Sequence, residues 1–278
     1  MNSTLEKLKE VLRKDNTVLF VGSGISTWSN LPTWEGMMDS LSQICKGREK
    51  IPDLINNETK AGNLLQAASY GYEELTNDEK VGFMSKTYIE GFEPHPIHNA
   101  LVSLGPTCFI TTNYDHLIEE AVYRKRGKSP TICLNNDVPV MGRIIRADSR
   151  NFVFKPHGDA GKIDTVVMTR SHYRELMPHG EFHAAVETLR ILLMTRPVVY
   201  IGFGFRDPDF AYVRDILGNL YQGATSAHYA IMADVPPHVE KFWRKHDGIH
   251  IISYETTLNA IGSERHSSLL HLLKDLGE

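Results

Sequence analysis

A histidine set between proline and glycine at the end of an apolar run, Phe152-Val153-Phe154-Lys155-Pro156-His157-Gly158, is the residue of this chain best placed to move a proton. An imidazole titrates near neutral pH, and its neighbours put it in a loop at the mouth of a strand, facing a crevice rather than an apolar wall. Position singles it out, since the chain has 13 histidines. A second apolar run, Cys108-Phe109-Ile110-Thr111, passes through Thr112 into Asn113-Tyr114-Asp115 and then into a helical pattern through Leu117, Ile118 and Val122. Asp115 is explained simply as the cap of that helix. Asn113 falls where open α/β sheets keep their ligand crevice, at the carboxyl end of a strand.

A third run, Val18-Leu19-Phe20-Val21, breaks into Gly22-Ser23-Gly24-Ile25-Ser26. A buried strand ending in such a turn offers backbone amides to an anion, and glycine lets a phosphate approach the main chain. The turn lacks the third glycine of the strict dinucleotide fingerprint, with Thr27 in its place. A fourth run, Pro197-Val198-Val199-Tyr200-Ile201, ends in a second such turn, Gly202-Phe203-Gly204-Phe205-Arg206-Asp207. It suits a further phosphate or ribose contact, with Arg206 and Asp207 a candidate structural ion pair and Asp209 a candidate cap for a helix through Val213, Ile216 and Leu217.

The elements that must position these residues alternate between strand and helix. Strands are expected at 17–21, 107–112, 152–154, 166–169, 197–202, 228–233 and 249–252, with helices at 1–15, 171–176, 181–195 and 265–276 among others. That alternation predicts a doubly wound, mostly parallel Rossmann-like sheet. Pro32 suits the first turn of a helix through Met37, Met38, Leu41 and Ile44. Residues 48–105 form a helical block with amphipathic stretches at 60–75 and 78–92 and a short helix at 96–104, expected as an insertion covering one side of the crevice. Residues 127–150 are loop-rich, broken by Gly127, Pro130, Pro139 and Gly142.

The chain has 278 residues, enough for one large α/β domain with a full core. Its net charge of −4, from 30 basic and 34 acidic residues, gives no broad cationic field, which disfavours direct nucleic-acid binding. Cys45, Cys108 and Cys133 are odd in number and far apart, so neither a disulfide framework nor a cysteine zinc site is expected, and a reducing cytoplasm fits. His95 and His98 stand at H-x-x-H spacing, but the intervening Pro96 and the lack of a nearby third ligand speak against a metal. No run approaches the roughly 20 apolar residues of a membrane span.

Gly22-Ser23-Gly24-Ile25-Ser26, Thr111-Thr112-Asn113-Tyr114-Asp115, Lys155-Pro156-His157-Gly158 and Ile201-Gly202-Phe203-Gly204 together resemble, in order and spacing, the four motifs of the sirtuin fold. With Leu31-Pro32-Thr33-Trp34 after the first turn, the sequence looks most like the bacterial sirtuin-like NADases of anti-phage defence, the Thoeris type. The resemblance implies that Gly22, Ser23, Gly24 and Ser26 hold the NAD diphosphate, with Thr112, Gly202, Phe203 and Gly204 further cofactor contacts. It implies that Asn113 and Asp115 meet the nicotinamide ribose and carboxamide, and that His157 is the base. The zinc ribbon of the protein deacylases and their Asp-Phe-Arg stretch are both missing from the sequence, which argues for hydrolysis of NAD itself. The expected activity is therefore cleavage of the nicotinamide–ribose bond without a metal. The same chemistry with an acceptor in place of water, as in a deacylase or an ADP-ribosyltransferase, is the first alternative; a non-catalytic NAD or ADP-ribose sensing module is the second. The resemblance also implies a homo-oligomer, restrained by a sensor domain or partner protein.

Overall fold

The computed structural model describes residues 3–147, 149–204, 211–213, 215, 217–218 and 227–278. Seven strands form one sheet: β1 (Val18–Val21), β2 (Cys108–Thr111), β3 (Thr131–Leu134), β4 (Phe152–Lys155), β5 (Val198–Ile201), β6 (His228–Ala233) and β7 (Ile249–Tyr254). Their order is β3-β4-β2-β1-β5-β6-β7, and every neighbouring pair is parallel. All four residues of β1, β2, β4 and β5 are buried, which is why these strands read as unbroken apolar runs rather than as alternating patterns.

Alternate residues feed two cores. Phe20, Ile110, Phe154 and Tyr200 point into one, and Leu19, Phe109, Val153 and Val199 into the other. The helices, in chain order, are α1 (Ser3–Leu12), α2 (Ser23–Ser26), α3 (Trp34–Ile44), α4 (Ile51–Lys60), α5 (Leu64–Tyr72), α6 (Asn77–Tyr88), α7 (Pro96–Ser103), α8 (Leu117–Arg126), α9 (Val138–Ile145), α10 (Arg170–Glu175), α11 (His183–Thr195), α12 (Pro237–His246) and α13 (Ser267–Gly277). Helices α9, α11 and α12 close the first core, while α1, α7, α8 and α13 close the second. Both faces of the sheet are therefore covered, as a doubly wound fold requires. Helices α3–α6 build a third core around Met38, Leu41, Ile55, Ala68 and Phe83, which takes in Tyr114, Ala160, Val166 and Met168 from the loops beyond β2 and β4. The helical block thus sits against the carboxyl edge of the sheet, where the polar motifs emerge. No described helix is long and apolar enough to cross a membrane.

Three local expectations are corrected. Residues 166–169 are extended but join no strand; Val167 N instead donates to the His157 carbonyl at 2.9 Å, so the segment braces the histidine loop. The loop-rich stretch 127–150 holds β3 and the helix α9. Pro139 lies in the first turn of α9, where no amide partner is needed, and Asp137 caps it by accepting from Val140 N, so Gly142 is carried inside the helix. The first glycine turn continues directly into the short α2. The expectations for Phe205, Arg206, Asp207, Asp209 and Ile216 lie outside the described residues.

Candidate active site

Strand order decides which motifs meet. β1 lies between β2 and β5, with β4 beyond β2, so the chain reverses its winding direction at β1 and the loops leaving β4, β2, β1 and β5 stand side by side. Such a switch point at the carboxyl edge is where an open α/β sheet leaves a crevice.

The two glycine turns interlock there. Gly22 N donates to Ile201 O at 2.8 Å and Gly24 N to Gly202 O at 3.0 Å. A Cβ on Gly22 or Gly24 would lie 2.6 or 2.7 Å from the Gly202 carbonyl oxygen, and Gly202 itself has φ +82°. Close approach of two main chains therefore accounts for these glycines. It also corrects the expectation that the amides of the first turn are free for an anion, since those of Gly22 and Gly24 already have acceptors. Phe203 turns its ring into the core, edge-on to Phe20 at 5.1 Å between centroids. Gly204 is exposed, with nothing against it among the described residues, and none of Gly202, Phe203 and Gly204 lines the two clefts described next.

A cleft of about 530 Å³ is lined by Ser23, Ser26, Thr112, Asn113, Asp115 and His157, with Trp34 of α3 and Tyr88 of α6 among the residues closing it. The sequence-predicted Asn113, Asp115 and His157 are thus brought to one wall. Asn113 is fixed by its amide, which donates from Nδ2 to Ser26 Oγ at 2.8 Å and to the Gly22 carbonyl at 3.2 Å. Ser26 passes the chain on, its hydroxyl donating to Asp115 Oδ2 at 2.6 Å. The other carboxylate oxygen, Oδ1, accepts from Leu117 N at 3.0 Å, so Asp115 braces the start of α8 from one position earlier than the cap, which falls on His116. One group is left over: Asn113 Oδ1 is buried and has no hydrogen-bond partner among the described residues. A buried acceptor without a donor is costly, so this oxygen fits a ligand hydroxyl or a water.

His157 is only 8 % exposed, which corrects the expectation of an open imidazole. Tyr173 of α10 packs edge-on against its ring at 5.4 Å. It nevertheless lies on the walls of two cavities. The second, of about 990 Å³, shares His157 and Thr112 with the first and is lined mainly by apolar side chains such as Phe20, Tyr173, Leu176, Met177 and Leu189, with Glu187 and Arg190 of α11 as charged exceptions. Gly158, at φ +82°, is held so tightly that a Cβ would run into the Thr165 carbonyl.

Sequence reasoning missed three contributors. Lys155 is wholly buried and clasps the loop after β2. Tyr114 donates its hydroxyl to Val167 O at 2.7 Å, tying that loop to the segment behind His157. His98 is 1 % exposed; burial pushes its pKa down to about 4, against the pull of the Asp115 carboxylate, so it is neutral, with Nε2 unpartnered among the described residues. The pairing of His95 with His98 is a capping arrangement at the start of α7, in which His95 N donates to His98 Nδ1 at 3.1 Å. Each of these depends on contacts distant in sequence. Only Lys155, a charge at the end of an otherwise apolar strand, left a readable signal.

A parallel sheet with its switch point at β1, and Asn, Asp and His delivered to one cleft from the loops after β2 and β4, define an α/β protein with a crevice for a small ligand. A family model described as a SIR2-like domain matches residues 107–252, and the chain belongs to that family. Among its relatives, NAD(+) hydrolase ThsA of Enterococcus faecium is 26% identical over 236 residues, covering 83% of this chain and 46% of that protein. Defense-associated sirtuin 2 of Bacillus subtilis is 24% identical over 284 residues, covering 98% of this chain and 27% of that protein. The chain spans less than half the length of these relatives. A solved structure described as a Sir2 homolog–NAD complex overlays 98% of this chain on 93% of its own at 15% identity, with a TM-score of 0.49.

Proposed function

We propose that this chain is an NAD⁺ glycohydrolase that breaks the nicotinamide–ribose bond and gives nicotinamide and ADP-ribose. The observation that carries the reading is the unpartnered Asn113 Oδ1, buried at a cleft whose wall also holds His157 and the Ser26–Asp115 pair. The names of the relatives, NAD(+) hydrolase among them, support it.

The C–N bond breaks with both electrons leaving on the nicotinamide nitrogen, which becomes neutral, so no general acid is required. The sugar passes through an oxocarbenium-like state, as in other glycosyl transfers. Water attacks the anomeric carbon, and its proton goes to His157. Asn113 Oδ1 accepts from that water or from a ribose hydroxyl. Both oxygens of Asp115 already have donors, so its part is to hold Ser26 and Asn113 in place and to lend negative potential to the cationic sugar. Trp34 and Tyr88 flank the cleft and keep bulk water from the reacting face. Ser23, Gly22, Gly24 and Thr112 border the ribose and diphosphate, with Gly202 and Phe203 supporting the turn from behind.

In a cell, such an enzyme is an NAD-depleting effector of anti-phage defence, cytoplasmic, oligomeric and restrained by a sensor domain or partner protein until triggered. Residues 48–105 serve as the helical cover of the nucleotide crevice. One observation favours a second reading, transfer of ADP-ribose to an acceptor: the larger, mainly apolar cavity shares His157 with the first and gives such an acceptor room on the other side of the base.

The test is nicotinamide release from NAD⁺ by the purified protein, at several concentrations, beside His157→Ala. Release by the wild type and a loss of about 10²–10⁴-fold in the folded variant is the expected result, matching the usual contribution of a general base. A folded His157→Ala protein with full activity refutes the assignment, and nicotinamide release that depends on an added acceptor supports the second reading instead. Release that rises more steeply than protein concentration supports activation by assembly.

A further inference from the structure

Lys155 ends β4 two residues before His157, and its side chain has no exposed surface. A buried ammonium is expensive unless its donors are all matched. Here the main-chain oxygen of Asp115 accepts at 2.6 Å, Glu119 Oε1 at 3.0 Å and Asp159 Oδ2 at 2.6 Å, with the Tyr114 carbonyl further out at 3.4 Å. Three N–H donors thus meet three close acceptors. Burial pulls the ammonium pKa down, but the carboxylates of Glu119 and Asp159 outweigh it and hold the group above its ordinary value, so it stays charged. Asp159 is held in turn from its other side, where Oδ1 lies 2.7 Å from His116 Nε2 and 2.8 Å from Gly161 N.

The partners belong to two segments that the sheet alone does not align. Asp115 and Glu119 follow Asn113 on the chain leaving β2; Lys155 and Asp159 bracket His157 on the chain leaving β4. Ladder pairing between these strands ends at Ile110 and Phe154, short of both functional residues. Beyond it, the lysine cluster, the Ala160 N to Tyr114 O bond at 3.0 Å and the Tyr114 hydroxyl fix one loop against the other. A well-packed apolar side chain would fill the same space without the cost of stripping water from three charges. What the charged cluster adds is direction, since its acceptors must keep their distances to the ammonium.

We propose that Lys155 is a positioning residue, whose clasp on Asp115, Glu119 and Asp159 sets the distance between Asn113 and His157 so that both address the same reacting carbon. This rests on the reading of the cleft as the place of NAD⁺ cleavage. Lys155 itself touches no substrate. Its removal should spoil turnover far more than binding.

Lys155→Met alone would strand two buried carboxylates, so the informative protein is Lys155→Met combined with Glu119→Gln and Asp159→Asn, which removes the charges together. The expected result is a folded protein that binds NAD⁺ with a Kd within about threefold of wild type while kcat falls about 10²-fold, the usual cost of displacing a reacting group by about 1 Å. Amide hydrogen exchange should quicken in residues 113–119 and 155–161 and stay unchanged in β1 and β5. Wild-type kcat in the folded triple variant, or unchanged exchange in both loops, overturns the proposal. If the triple variant does not fold, Glu119→Gln, which keeps the Lys155–Asp159 pair, should lower kcat about tenfold at unchanged Kd, and wild-type kcat there overturns it equally. A wild-type protein that binds NAD⁺ but releases no nicotinamide would remove the cleavage reading instead, and the exchange comparison would then decide the role of Lys155 by itself.

Discussion

Truncating Asn113 to alanine should separate function from stability in one protein. The change deletes two hydrogen bonds donated by Nδ2, to Ser26 Oγ and to Gly22 O. At about 1 kcal/mol each, that is a loss of about 2 kcal/mol. The same change also deletes Asn113 Oδ1, whose burial without a donor costs the substrate-free protein about 1–3 kcal/mol. Ser26 keeps its bond to Asp115, so no new orphan hydroxyl is created. The two terms nearly cancel, and the melting temperature should stay within about 4 °C of wild type, given roughly 2–4 °C per kcal/mol for a domain of this size. Turnover should behave quite differently. If Oδ1 accepts a hydrogen bond that tightens as the sugar becomes cationic, its loss should cost about 10²–10³-fold in kcat, as for one preorganised polar group in other active sites. The assay is thermal unfolding by circular dichroism beside nicotinamide release by chromatography, with activity expressed per folded molecule. A variant that melts more than about 10 °C lower but turns over normally would show that Asn113 is a structural strut and that its oxygen serves no substrate.

Gly158→Ala should destabilise the protein by about 2–4 kcal/mol, because it forces a side chain into a left-handed backbone and against the Thr165 carbonyl; a melting temperature within about 2 °C of wild type would refute this. The Asp159–His116 pair predicts a stability optimum with two edges. The pKa of Asp159 is set by burial, which raises it, and by the His116 hydrogen bond and the Lys155 charge, which together carry it below the usual carboxylate value. Its stabilisation is therefore present above the unfolded carboxyl pKa and is lost as pH falls through the folded one. The hydrogen bond to Asp159 lifts His116 above 6.5 despite partial burial. Its stabilisation is full below 6.5 and is lost as pH rises through the lifted value. Urea unfolding at pH 6 and pH 9 should show wild type losing more stability between them than His116→Gln, and equal losses would refute the pairing.

Much of the frame was legible because a strand buried on both faces leaves an unbroken apolar run, and β1 and β5 break into glycine turns while β2 and β4 run into polar loops. Asn113, Asp115 and His157 could be read as one site through the resemblance of their motifs to the sirtuin fold, and the strand order that makes them neighbours came only with the structure. What could not be read depended on partners distant in the chain. Residues 166–169 are β-prone, but the Val167 amide meets the histidine loop instead of a strand edge. Pro139 and Gly142 look like breakers until Asp137 is seen to cap the helix they share. His157 is buried because Tyr173 packs over it, and nothing in its neighbours' identities announces a tyrosine from α10. The glycines at 22, 24 and 202 were noticed for a phosphate, whereas their closest constraint is one another.

That mutual constraint bears on how the protein is made. β1 leaves the ribosome well before its partner on one side, β5, because Val18 pairs with Val198. Until then the first glycine turn has no Gly202 carbonyl to brace it, and the loops of β2 and β4 have no finished sheet beneath them. A nascent chain halted before β5 should therefore be catalytically silent. Under the proposed NAD⁺ cleavage, incomplete chains would then contribute none of that activity.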